Sequence, residues 1–253
     1  MLARAELKNR IEVPENLSAD SVNEFERGLK QLLSTGPQAI EFDCSNLKMV
    51  TSSHVNLLWS AREQCCLAGV SFQFTRMSAG LVRILHVLDL YSLFTGREAE
   101  VQKPGKQTGR LKVGGGPTEF TRSLKADTDN IAATVREFRS FLDKTAIDEL
   151  SIVELTTIAY EALTNVRLHG ELDPHQMIEF KVTSGAEKIC MVIEDSGKPF
   201  NPLGDNRPYR SGEAIRSRQS RGYGLVMIRR MTDALTYERA DGRNILALEK
   251  HWN

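Results

Sequence analysis

Apolar residues in the first part of the chain alternate between strand-like and helix-like spacing. Residues 6–13, 39–43 (AIEFD) and 70–74 (VSFQF) read as short strands. Between them, 21–33 places Val22, Phe25, Leu29 and Leu32/Leu33 on one helical face. Residues 55–67 also read as a helix, and 78–88 holds Leu81, Ile84, Leu85 and Leu88 in register. Strands separated by helices predict a parallel or mixed sheet with helices packed on it. Farther along the order changes. A strand over 119–124 precedes two long amphipathic helices, 128–142 and 149–169. Two adjacent strands follow, 177–183 and 188–194, separated by Ser184-Gly185. A helix over 224–233 leads to a terminal hairpin, 235–239 and 245–250, turning at Asp241-Gly242. Helices on one face of a largely antiparallel sheet predict an α+β sandwich.

Residues 97–117 (REAEVQKPGKQTGRLKVGGGP) have no repeating apolar face and carry clustered glycines and two prolines. Structureless loops beyond roughly 12–15 residues are uncommon inside compact domains, so this stretch reads as a flexible linker. The expected organisation is a first domain over 1–96 and a second over 118–253. Charge is balanced, with 33 Lys+Arg against 33 Asp+Glu, so no global attraction to nucleic acid or an anionic membrane is expected. Hydrophobic residues at 41% and charged residues at 26% are ordinary for a globular protein. No apolar run approaches the roughly 18–20 residues that span a bilayer. The start, MLARAELKNR, lacks the apolar core of a signal peptide, so a cytoplasmic location is expected. Cys44, Cys65, Cys66 and Cys190 form neither a CxxC pair nor a zinc spacing and read as reduced thiols.

Three segments in the second half carry candidate chemistry. In YEALTNVRLHGE, Glu161, Asn165 and His169 stand at i, i+4 and i+8, which sets them on one stripe of a helix. In IEDSGKPFNP an apolar strand runs into Asp195, followed by Gly197. In SRGYGLVMIRRM, Gly222 and Gly224 open an apolar helix, where backbone N–H groups can approach phosphate oxygens. Each alone reads equally as a solvated face, a turn former or a plain turn. Together, in this order, they resemble the N, G1 and G2 boxes of the GHKL ATPase superfamily, in the version found in anti-sigma-factor serine kinases. The resemblance covers most of 119–253.

That resemblance implies ATP and Mg²⁺ as cofactors. It makes Asn165 the Mg²⁺ ligand and Glu161 the base or orienting carboxylate for an acceptor hydroxyl. Asp195 would accept from the adenine amino group, with Gly197 letting the base lie against the chain, and Gly222 and Gly224 would contact phosphates. His169 borders the phosphate region or caps its helix. Residues 201–221 hold Arg207, Arg210, Arg216, Arg218 and Arg221 against Asp205 and Glu213. They correspond to the lid over the nucleotide, with Arg218 or Arg221 on the γ-phosphate through paired guanidinium donors. No helix pair with a phosphoacceptor histidine precedes this domain, which sets it apart from the histidine kinases of the superfamily.

In the first half, FDCSNLKMVTSSHVNLLW joins a strand to a helix through Thr51-Ser52-Ser53. Ser and Thr at such a place are first of all N-caps. Residues 1–95 also resemble a STAS domain, the fold of anti-sigma-factor antagonists, in which the first Ser of an Asp-Ser-Ser-Gly turn is phosphorylated. Ser52 occupies that position, while Thr51 replaces the Asp and His54 the Gly. The expected architecture is therefore an α/β STAS-like sheet with helices, followed by an α+β GHKL ATPase sandwich.

The expected function is a bacterial regulator in which a serine-kinase domain and an antagonist-like domain control partner switching. Its implied partners are a sigma factor, an antagonist STAS protein, or both. An intramolecular contact between the two domains and a homodimer are also expected, and the linker's reach of about 25 Å permits the first. The alternative is a nucleotide-binding interaction switch without productive transfer.

Overall fold

Ser18 and Ser78 each sit in extended backbone just before an amphipathic stretch, and each side chain accepts the N–H three residues on. Those caps start two helices of the first half. The computed structural model describes residues 9–96, 118–204 and 223–251. The chain divides into two units, Met1–Val101 and Gln102–Asn253. The stretch read as a linker (97–117), and most of the one read as a lid (205–221 of 201–221), lie outside the described residues. So do Arg218, Arg221 and Gly222, and the first residues of the strand expected over 6–13.

The first unit is a parallel three-stranded sheet of β1 (Arg10–Glu12), β2 (Ala39–Asp43) and β3 (Ser71–Thr75), in that order. Between and after the strands come α1 (Ala19–Ser34), α2 (Ser52–Leu67), α3 (Ala79–Val87) and α4 (Tyr91–Thr95). The parallel pairing follows from the alternation of strands and helices. The core runs through a chain of rings: Phe25 against Phe42 at 6.2 Å, Phe42 on Phe74 at 5.0 Å, and Phe74 against Phe94 at 5.1 Å. Phe94 belongs to α4, a single turn too short for periodicity to reveal. Asp43, buried at the end of β2, is neutralised by Arg10 and by Arg76.

Helix α2 begins three residues before the apolar pattern suggests. Thr51 is its cap and Ser52 its first residue, because His54 folds back on the cap. The Thr51 N–H donates to His54 Nδ1 at 3.2 Å, and the Thr51 hydroxyl lies 2.8 Å from the same nitrogen. The ring hydrogen therefore sits on Nε2, which donates to the Glu15 carbonyl at 3.0 Å. The histidine thus ties the start of α2 to the loop before α1.

The second unit is a five-stranded antiparallel sheet. Its strands are β4 (Glu119–Lys125), β5 (Met177–Ser184), β6 (Lys188–Asp195), β7 (Ala234–Ala240) and β8 (Arg243–His251), in the order β4-β5-β6-β8-β7. Period-two burial gives β6 one inward face of Ile189, Met191, Ile193 and Asp195. The helices are α5 (Thr128–Leu142), α6 (Glu149–His169) and α7 (Tyr223–Met231). Asp127 and Asp148 cap α5 and α6, accepting N–H groups at 2.8 Å and at 3.0 Å. Phe120, Phe138 and Phe180 join strand, helix and strand through ring contacts of 5.4–5.9 Å. Asp241 and Gly242 both have positive φ, +50° and +77°, as a two-residue type I′ hairpin requires.

Burial pushes the His54 imidazole down from 6.5 to about 4, so it folds neutral. The unfolded ring takes up its proton as pH falls through 6.5, the folded ring only near 4. Stability from this group is therefore complete above 6.5 and lost between 6.5 and 4, by about 3 kcal/mol at roughly 1.4 kcal/mol per pKa unit. In a Trp252→Phe background Trp59 reports the first unit alone. Urea melts should show this decline, and His54→Gln should flatten it.

Candidate functional site

Helix α6 carries its polar stripe into the second unit with Glu161 and Asn165 one turn apart and His169 at the last turn. The stripe meets the end of β6 and the chain that follows. The result is a cleft open to solvent, lined by Ala162, Asn165, Val166, Gly170, Ile193, Asp195, Phe200, Pro202, Tyr237, Asn244 and Leu246. Most of that wall is apolar, and its polar groups lie at Asn165, Asp195, Tyr237 and Asn244.

Asp195 is 4% exposed, and its Oδ1 accepts from the Gly197 N–H and from Asn244 Nδ2, both at 2.8 Å. The Gly197 position admits no side chain. A Cβ there would fall 2.3 Å from the Gly170 carbonyl and 2.9 Å from Asp195 Oδ1. The same carbonyl accepts the Lys198 N–H at 2.6 Å. The loop after β6 is thereby clamped to the end of α6. His169 adds to the clamp, its ring stacked on Phe200 at 4.3 Å and 15°. That contact puts His169 at the wall that closes the cleft beside Phe200.

Asn165 Nδ2 is buried and has no hydrogen-bond partner among the described residues. A buried amide left unmatched costs about 1–3 kcal/mol, and a partner in the cleft would remove that cost. Glu161 is also buried, and α7 presses against it: a Cβ on Gly224 would fall 2.3 Å from Glu161 Oε2. Burial, followed by the Glu161 charge, raises the neighbouring Tyr160 phenol above its usual range. Among the described residues no group of three or more His, Cys, Asp and Glu could hold a metal ion. Mg²⁺ takes few protein ligands and keeps several waters, so a single amide oxygen such as that of Asn165 fits it.

The structure thus brings Asn165 and Asp195 to one cleft, packs Gly197 against Asp195 and the end of α6, and sets Glu161 and Gly224 against each other. Asn244 belongs to the site and was not expected from the sequence. Its only sequence signal is its place directly after the Asp241-Gly242 turn and Arg243, in register with Asp195 across β6 and β8.

The sequence profile of the histidine kinase-like ATPase domain matches residues 124–250. The chain belongs to that ATPase family. Residues 1–95 match a second profile, described as "Mlab, STAS domain", so a STAS domain precedes the ATPase domain. The serine/threonine-protein kinase BtrW of Bordetella bronchiseptica is 31% identical over 98 residues, 38% of this chain and 68% of that protein. The crystal structure of the RsbU and RsbW domains of a Mycobacterium tuberculosis protein is similar at a TM-score of 0.39 and 14% identity. That match covers 53% of this chain, which spans 32% of the mycobacterial one. The SiaB–SiaC complex of Pseudomonas aeruginosa is similar at a TM-score of 0.36 and 11% identity, over 59% of this chain and 95% of that one. Among the described residues no helix is long and apolar enough to cross a membrane.

The close approach at Gly197 in the ATPase domain predicts a sharp response to a single methyl group. Gly197→Ala must displace the β6–α6 clamp and should cost about 1–3 kcal/mol, an ordinary overpacking loss. At Gly185 an added Cβ meets only the Lys188 carbonyl at 3.4 Å, so Gly185→Ala should lower the thermal midpoint much less.

Proposed function

We propose that the ATPase domain binds Mg²⁺·ATP in this cleft and transfers its γ-phosphoryl group to a serine or threonine hydroxyl of a STAS-type antagonist, making the chain a partner-switching regulator. The observation that carries this reading is the pairing, in one cleft, of the unmatched Asn165 amide with a buried carboxylate that keeps one oxygen uncommitted. Asp195 Oδ2 has no partner among the described residues, and a base with an exocyclic amino group matches it. Asn165 would hold the metal through its side-chain oxygen, which leaves the unmatched Nδ2 donor for a phosphate oxygen, and the metal when bound neutralises charge on the phosphates.

In the transfer, the acceptor hydroxyl oxygen bonds to the γ-phosphorus while the bond to the β–γ bridging oxygen breaks. ADP leaves with that electron pair, and the hydroxyl proton passes to Glu161. Ser52, the first residue of α2, is a candidate acceptor within the chain itself, on the strength of its STAS resemblance. A phosphate there would meet the positive end of that helix. The name of the BtrW relative supports a serine/threonine kinase activity. An antagonist STAS protein and a sigma factor are the partners this reading proposes, with Arg218 or Arg221 as the γ-phosphate contact and Gly222 beside the phosphates.

The burial of Glu161 against Gly224 favours a second reading, in which the domain binds nucleotide and partners without transferring phosphate. Incubation with labelled ATP and Mg²⁺, followed by mass spectrometry for phosphoserine in the chain and in added antagonist proteins, separates the two. Asp195→Ala should weaken ATP and ADP binding alike by about 10–100-fold, whether or not transfer occurs. Glu161→Ala should keep ATP affinity and lose transfer by about 10²–10⁴-fold if it takes the proton. Parallel loss of binding and turnover would give Glu161 a packing role.

A further inference from the structure

The side chains behind Asp195 form a connected set that reaches the last hairpin. Asn244 is 5% exposed at the start of β8, and every polar atom of its amide is committed. Its Oδ1 accepts from the Tyr237 hydroxyl at 2.8 Å and from Arg239 Nη1 at 2.6 Å. Its Nδ2 donates to Asp195 Oδ1 at 2.8 Å and to the Lys198 carbonyl at 3.1 Å. An amide has two donor hydrogens and two acceptor lone pairs, so Asn244 has nothing left to offer a ligand. The two donors on its oxygen also settle which end of the amide faces Asp195. Arg239 Nη1 reaches the Gly197 carbonyl at 3.0 Å as well, tying both partners of Asp195 Oδ1 to one guanidinium.

We infer that Asn244 and Arg239 are positioning residues that set base selectivity through Asp195: they hold Oδ1 in internal hydrogen bonds so that Oδ2 alone meets the exocyclic amino group of an adenine-type base. This rests on the nucleotide reading of the cleft. The physical reason is that a carboxylate whose rotation is fixed before binding loses no orientational freedom when the ligand arrives. Without Asn244, Asp195 keeps only the Gly197 N–H and can turn, so its preference for an amino group over a hydrogen should fade.

The test compares ADP with purine riboside 5′-diphosphate, which lacks only the 6-amino group, by calorimetry on the full chain with Mg²⁺. Wild type should prefer ADP by about 10–100-fold, the scale of one hydrogen bond to a charged group. Asn244→Ala should cut that preference to within about threefold. Arg239→Met, at an exposed residue that should tolerate the change, should reduce it partway. Tyr237→Phe removes one donor from Asn244 Oδ1 and should do least.

A merely structural role would lower both affinities together and leave their ratio intact, which would overturn the inference even if Asn244→Ala were too unstable to measure, because Arg239→Met reads the same ratio. Unchanged affinities and ratio in Arg239→Met and Asn244→Ala would overturn it as well. Wild type that binds neither nucleotide would instead remove the nucleotide reading on which the inference stands. Wild type that binds both equally would remove Asp195 as the reader of the amino group.

Discussion

A carboxylate buried at the end of a strand must be matched by donors, and Asp195 draws its donors from two different segments. The Gly197 N–H comes from the turn that immediately follows β6, and Asn244 comes from the neighbouring strand β8. Meeting the first requires the chain to turn sharply against the end of α6, where only a glycine fits beneath the Gly170 carbonyl. Meeting the second requires β8 to pair with β6 in the one register that sets Asn244 opposite Asp195. Both donors of the acid thus lie on segments that border the cleft.

The same helix that supplies the clamp carries Glu161 and Asn165. Helix α6 is buried on nearly every side in its first half, from Ile152 to Leu163, and the polar side chains buried there are Glu154, Thr156, Thr157 and Glu161. Glu154 is a buried carboxylate paired with Lys250 at 2.6 Å, and Lys250 also donates to the Met231 carbonyl at 3.0 Å. That pair fastens α6 and α7 to β8. Asn165, one helix segment later, has an amide nitrogen with no such partner. The contrast between a matched buried charge and an unmatched buried amide on one helix separates scaffold from site.

Much of this was legible in the sequence where local chemistry decides. Helices α5 and α6 start and stop where their apolar period says they should, and the Asp241-Gly242 turn has the positive φ angles its residues favour. Where contacts over long sequence distance decide, the sequence was silent. Helix α4 is too short for a period. The early start of α2 depends on His54 reaching Glu15, 39 residues away. Asn244 gains its role only through a partner 49 residues distant, and nothing in RNILALEKH marks it. The helix and strand end that carry Glu161, Asn165 and Asp195 were readable because their patterns are local. The support behind them was not, because strand register brings it there.

The central claim is that the cleft holds an adenine nucleotide with the base on Asp195 and the metal on Asn165. The most direct measurement is a crystal structure of the full chain with Mg²⁺ and ADP. The account predicts the adenine amino nitrogen within hydrogen-bond distance of Asp195 Oδ2, Oδ1 still held by Gly197 and Asn244, and the Asn165 side-chain oxygen among the metal's ligands. A base that lies elsewhere, or a metal held without Asn165, would contradict it.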